Sequence, residues 1–349
     1  MSLPAGFDRA EALDMLAMSA IIESDDGTVP PPIPNPPPGW TPLPPSPVIP
    51  PFDNKWQLWK RDRAGAFAVA IRGTVYEPGS IVEDLLALMI DATGTITVGG
   101  ASLPYSFAAD PLAGVHLGFA AATLLVAELP VIGILDVLKA NGLGAGSQIY
   151  VTGHSQGAAM ATLLRSYLQY GAGMPPGISY RTYVFAQPKP GNDHYAADFE
   201  NRFSNPGLGF RITNSLDWVP QVPFTIEILT DINEPNPLSV LTQPEQMIKI
   251  GEALHVQAVT SLVREASHVI AQREVDRVRP ALQKLMAAKG APAAALPGAR
   301  LDMPLMFSFN YVNAATNFSL MGVPCKGDEC ADQFFEHHPE TYYKLLLAA

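Results

Sequence analysis

The sequence predicts an α/β protein, a mostly parallel sheet with helices on both faces plus a helical insertion. Three observations point there. From Lys55 onward, short β-rich runs alternate with stretches of helical periodicity. Hydrophobic residues make up 48% of the chain and charged residues only 16%, enough to fill a large interior. At Gln148–Thr152 a β-rich run is followed at once by a helical pattern rich in small residues, from Ala158 to Tyr170.

The elements follow in order. Residues 8–23 carry Leu13, Leu16, Ala17, Ala20 and Ile21 at helical spacing, with Asp8 and Glu11 as an expected capping pair. Residues 30–51 hold thirteen prolines in twenty-two positions, which predicts an extended strap, outside helix and sheet, laid over the fold by Trp40. Lys55–Lys60 and Ala66–Ile71 read as strands and Ile81–Ala92 as a helix. A longer helical stretch runs from Leu112 to Leu138 with a break at Pro130. Tyr180–Phe185 and Phe210–Ile212 are further strands. Residues 242–290 read as an added helical block, opened by Thr242 and Glu245, kinked or ended by Pro280 and closed by Gly290.

All 349 residues are expected to form one domain. Within it lie an N-terminal helix and strap (1–52), a core (53–223), a mainly helical insertion that could cap the site (224–300), and a C-terminal part (301–349).

A net charge of −11 argues against nucleic-acid partners and against attraction to anionic lipid, so contact with a lipid–water interface would be apolar. Phe119–Leu138 is apolar but interrupted by Glu128, Pro130 and Asp136, which excludes a membrane span. The N-terminus lacks the layout of a signal peptide, which leaves secreted and cytoplasmic locations both open. Cys325 and Cys330 could close a small loop or stay reduced, and no Cys/His cluster points to zinc.

Gly153-His154-Ser155-Gln156-Gly157 fits the G-x-S-x-G nucleophile elbow. A serine hydroxyl attacks well only when exposed on a sharp turn beside a base, and the two glycines permit that turn. The helix start after it directs N–H groups and positive dipole toward developing negative charge. His116 and His154 read as satisfied core histidines, His255 and His268 as surface residues. Arg72 is expected to pair with a carboxylate such as Asp84.

Ala70-Ile71-Arg72-Gly73-Thr74, Val115-His116-Leu117-Gly118-Phe119, the elbow, Pro188-Lys189-Pro190-Gly191-Asn192 and Asp217–Pro223 occur in that order. Together they resemble the class 3 (fungal-type) lipases of the α/β-hydrolase superfamily, well over residues 55–223 and loosely over the last forty. The resemblance implies an α/β-hydrolase fold, Ser155 as nucleophile, Asp217 as the acid that orients a histidine, and an oxyanion hole from Gln156 and Thr74.

The base must follow Asp217, since the triad of this fold runs Ser, Asp, His. His337 and His338 both lie five residues before a tyrosine, Tyr342 and Tyr343 respectively. Pro339 suits the first position of a helix, which makes His338 the cap and leaves His337 outside it, so His337 is the choice and His338 the alternative. The expected activity is hydrolysis of acyl esters such as acylglycerols through an acyl-enzyme, without metal or cofactor. Alternatives are a carboxylesterase for short soluble esters, a phospholipase A-type enzyme, or an inactive hydrolase-fold protein that binds a partner. The sequence departs from the family pattern in the long stretch after Asp217 and in the Ser80–Leu85 segment, where the family places a lid.

Overall fold

The computed structural model describes residues 3–61, 65–73, 88–98, 100–225, 233, 275–291, 301–306 and 308–349. Seven strands form the central sheet: β1 (Trp40–Pro42), β2 (Lys55–Arg61), β3 (Ala66–Arg72), β4 (Gln148–His154), β5 (Ser179–Phe185), β6 (Gly209–Asn214) and β7 (Thr316–Leu320). They lie side by side in chain order. β1–β2 and β2–β3 are antiparallel, whereas every pairing from β3 to β7 is parallel.

β3 shows why the sheet is covered on both faces. All seven of its residues are buried, as expected of a central strand between two layers. Phe67, Val69 and Ile71 enter one core, and Ala68 and Ala70 the other. On the first face lie α2 (Leu117–Glu128) and α3 (Gln156–Tyr170). α2 is apolar on every side, so only a position enclosed all round suits it, and its residues from Phe119 to Ala127 are all buried.

The second face is covered by α1 (Arg9–Glu23) and, after α4 (275–288) on the first face, by α5 (Pro339–Ala348). The alanines of β3 leave room for α1, which buries Met15, Leu16, Met18 and Ile22 there. At roughly 1.5–3 kcal/mol for each large aliphatic side chain, burial is ample to hold the helix on the sheet. Ser19 Oγ meets Thr152 Oγ1 at 3.1 Å, and Tyr150 donates to Glu11 at 2.7 Å.

The structure differs from expectation in several places. Asp8 does cap α1, accepting from the Glu11 N–H at 3.0 Å, but the Glu11 carboxylate turns away to Tyr150, Tyr183 and Arg181. A buried guanidinium needs that carboxylate more than a helix end does. The strap does join the sheet: Trp40–Pro42 pairs antiparallel with β2, at an edge where proline's missing N–H costs little. The end of the expected Ile81–Ala92 helix, Met89–Asp91, is instead a strand, paired with Gly114–His116 and Leu305–Met306. The helical stretch expected from Leu112 begins only at Leu117, because Gly114–His116 belongs to that small sheet. Pro280 lies inside α4 and does not end it, while Gly290 at φ +92° follows the helix. Arg72 pairs with Asp25 at 3.2 Å; Asp84 lies outside the described residues. His255, His268 and residues 242–274 of the added block lie outside them too.

Cys325 and Cys330 form a disulfide. Among the described residues, no helix is long and apolar enough to cross a membrane, and no group of three or more His, Cys, Asp or Glu could hold a metal ion.

Candidate active site

The turn between β4 and α3 carries Ser155 with φ +55° and ψ −132°, a conformation that costs a non-glycine residue about 1–3 kcal/mol. The strain is held by packing. A Cβ on Gly157 would lie 2.2 Å from the Ile71 carbonyl oxygen, and one on Gly153 2.2 Å from the Gly157 carbonyl oxygen. Strand β3, strand β4 and helix α3 therefore approach as closely as backbone permits, and only glycine fits at either crossing. The Ser155 N–H donates to Phe185 of β5 at 3.0 Å, which fixes the turn against the next strand. Its side chain keeps partial exposure.

Asp217 directly follows a two-residue turn at the end of β6, at the same edge of the sheet. It is buried, with an exposure of 2%. Its Oδ1 accepts from the Val219 N–H at 2.9 Å, and its Oδ2 accepts from the Tyr342 hydroxyl at 2.7 Å. The loop is itself held: the Asn214 side chain donates to the Glu336 carbonyl at 2.8 Å, and the Trp218 ring lies 5.5 Å from that of Phe334. The acid loop and the segment before α5 are thus tied together.

His337 ends a short 3-10 turn, Phe335–His337, and is buried. Its Nδ1 lies 2.8 Å from Asp217 Oδ2 and its Nε2 lies 2.9 Å from Ser155 Oγ. A carboxylate oxygen only accepts, so the ring proton belongs on Nδ1 and the Nε2 lone pair faces the serine hydroxyl. Burial lowers the pKa of His337 below its ordinary value; the hydrogen bond and charge of Asp217 oppose that, and His154 adds to it. The ring is therefore neutral, and ready to accept a proton, at neutral pH.

His338 is placed otherwise. It stands at the N-cap of α5 ahead of Pro339, its side chain is 43% exposed, and its Nε2 meets Asp332 at 2.6 Å. Of the two histidines, only His337 is hydrogen-bonded to Ser155 and Asp217. Gln156 is the first residue of α3, where helix N–H groups point outward, and its side chain lies beneath Gly73. Thr74, the other oxyanion candidate, lies outside the described residues.

The remaining motifs are structural in their contacts. His116 Nδ1 accepts from the Phe119 N–H at 3.3 Å and its ring stacks on Phe119. The Asn192 side chain accepts from Gly114 and Tyr195 N–H groups, each at 2.9 Å, so the Val-His and Gly-Asn motifs brace each other. Of two further contributors, Asn214 has no motif of its own in the sequence, and Tyr342 stood out only by its five-residue spacing from His337.

Residues 68–227 match the family model described as lipase (class 3). A secreted mono- and diacylglycerol lipase of Malassezia restricta is 31% identical over 154 residues, covering 44% of this chain and 46% of that protein. Secreted mono- and diacylglycerol lipase 1 of Fusarium solani is 33% identical over 110 residues, covering 32% of this chain and 30% of that one. The chain thus spans about half the length of the first and less of the second. Among solved structures, lipase II from Rhizopus niveus is similar at 18% identity with a TM-score of 0.45, covering 62% of this chain and 75% of that one.

Proposed function

From the match of residues 68–227 to the class 3 lipase family, we propose that the chain is a serine ester hydrolase acting on acylglycerols. The observation that carries the proposal is the hydrogen-bonded line from Ser155 Oγ to His337 Nε2 and from His337 Nδ1 to Asp217. It is the arrangement a hydroxyl nucleophile requires: a base within reach and a buried anion that orients the base.

In the proposed mechanism Ser155 Oγ attacks the ester carbonyl carbon while His337 Nε2 takes its proton. The imidazolium so formed faces Asp217. The carbonyl oxygen becomes an oxyanion, stabilised by the Gln156 N–H at the start of α3 and, as the resemblance implies, by Thr74. The tetrahedral adduct collapses by breaking the bond to the alcohol oxygen, which receives the proton from His337. Water then attacks the acyl-serine, with His337 again as base, and the carboxylic acid leaves.

The acylglycerol substrate class is supported by the names of the relatives, which are mono- and diacylglycerol lipases. The test is labelling with a fluorophosphonate, followed by a series of esters of rising chain length that ends in emulsified acylglycerols. Labelling confined to Ser155 with turnover of mono- and diacylglycerols is expected. Labelling with turnover of short soluble esters alone would make the protein a carboxylesterase, and no labelling would end the hydrolase proposal.

A further inference from the structure

His154, next to Ser155, is fully buried, and both its ring nitrogens face oxygen. Its Nε2 lies 2.7 Å from the backbone carbonyl oxygen of His337, and its Nδ1 lies 3.0 Å from Glu23 Oε1 at the last turn of α1. A carbonyl oxygen has no proton to give, so Nε2 carries one. The proton between Nδ1 and Glu23 then rests on one of the two. Ordinary affinities differ by about two pH units in favour of the imidazole. The Glu23 side chain keeps 16% exposure, so its anion retains some contact with solvent.

We propose that His154 and Glu23 form an imidazolium–carboxylate pair that positions His337 from behind, by a charge-assisted hydrogen bond to its backbone carbonyl. The inference rests on the proposed role of His337 as base. His337 stands in a short turn outside the sheet, and its side chain must hold two hydrogen bonds at once. Asp217 fixes the ring; the His154 bond fixes the backbone that carries the ring. A charge-assisted bond is roughly twice as strong as a neutral one, which suits a position that must not drift. The pair also makes α1, remote in sequence, part of the support of the site.

The charged and titratable groups facing His154 agree with this assignment. Burial disfavours its cation, but the charge and hydrogen bond of Glu23, the charge of Asp217 and the His337 carbonyl together outweigh burial and raise its pKa. The Tyr342 ring meets it edge-on at 5.8 Å, and the His337 ring lies 4.6 Å away. At that separation the His154 cation opposes protonation of His337, and Glu23 partly offsets it. His154 is thus a positioning residue, and it leaves the reacting atoms to its neighbours.

The test has an arm that does not depend on turnover. With histidine rings labelled by 15N, His154 should keep two N–H protons above its ordinary pKa of about 6.5. In Glu23→Gln it should lose one of them at a lower pH. In kinetics, Glu23→Gln and His154→Gln should each lower kcat by about ten- to a hundred-fold with KM changed by about twofold at most. Glu23→Asp should recover part of the loss. In His154→Gln the acid limb of kcat/KM should move to higher pH, because the cation is gone and Glu23 remains; loss of packing alone would not move it. A single ring proton on His154 at neutral pH in the folded wild type overturns the proposal even if the variants do not fold. So does a folded Glu23→Gln with wild-type kcat. A wild type that binds no fluorophosphonate and cleaves no ester would sink the hydrolase proposal instead, and the ring spectra would still decide the state of the pair.

Discussion

The Tyr342 hydroxyl donates to Asp217 Oδ2 at 2.7 Å, the same oxygen that lies 2.8 Å from His337 Nδ1. That oxygen is therefore shared between a neutral donor that never changes and a ring that gains charge during the reaction. Tyr342→Phe removes the fixed donor and leaves the ring. It should lower kcat by about tenfold, the worth of roughly 1.4 kcal/mol, with little change in KM. Steady-state kinetics on one soluble ester measures it, and a kcat equal to wild type would show that the hydroxyl only fills space.

Ser155→Ala should abolish ester hydrolysis, a loss on the order of a million-fold, and should leave the fold intact. Asp217→Asn keeps the shape of the side chain but removes the anion facing imidazolium, and should cost on the order of a thousand-fold or more. Turnover above about one per cent of wild type in the serine variant would move the nucleophile elsewhere.

His337→Ala and His338→Ala separate the two adjacent histidines. The first should lose at least about a thousand-fold in kcat. The second removes an exposed contact with Asp332 and should stay within about threefold of wild type, as exposed ion pairs contribute little. The reverse result would reassign the base.

The acid limb of the pH profile should lie below the ordinary histidine value of about 6.5. The base acts when neutral, and burial holds the pKa of His337 down. As pH falls, activity therefore persists past that ordinary value and is lost only on passing the lowered one. A limb at or above about 6.5 in kcat/KM would contradict the sign.

Gly157→Ala should cost both stability and activity, because its Cβ would stand 2.2 Å from the Ile71 carbonyl oxygen with only backbone to move. Gly144→Ala, where no atom lies within 4 Å of the added carbon, is the matched control and should leave the melting temperature nearly unchanged. Thermal unfolding of the two variants gives the comparison directly.

Much of the central sheet was legible because a strand covered on both faces reads as a near-continuous apolar run, as β3 does from Ala66 to Ile71. The elbow was legible because two backbone crossings demand glycine at fixed spacing around the serine. The small sheets were not: Gly191–Asn192 and Leu305–Met306 are two residues each, too short to show any period. Met89–Asp91 was misread as helix because its apolar residues continue the pattern of the segment before it. The side chains that steady Asp217 stayed hidden for a different reason. Tyr342 lies 125 residues away along the chain, and nothing in the character of a tyrosine says which carboxylate its hydroxyl will meet.

Arg9, on the first turn of α1, donates from Nε to the Leu346 carbonyl at 2.8 Å, and from Nη2 to that of Leu347. α1 thus shares its burial with α5, across more than three hundred intervening residues. α1 packs on both the sheet and α5, so its cover is complete only once both have been made. The site, whose base stands just before α5, is accordingly incomplete until that segment is made, so a nascent chain released before it would hold its serine on an elbow with no histidine to awaken it.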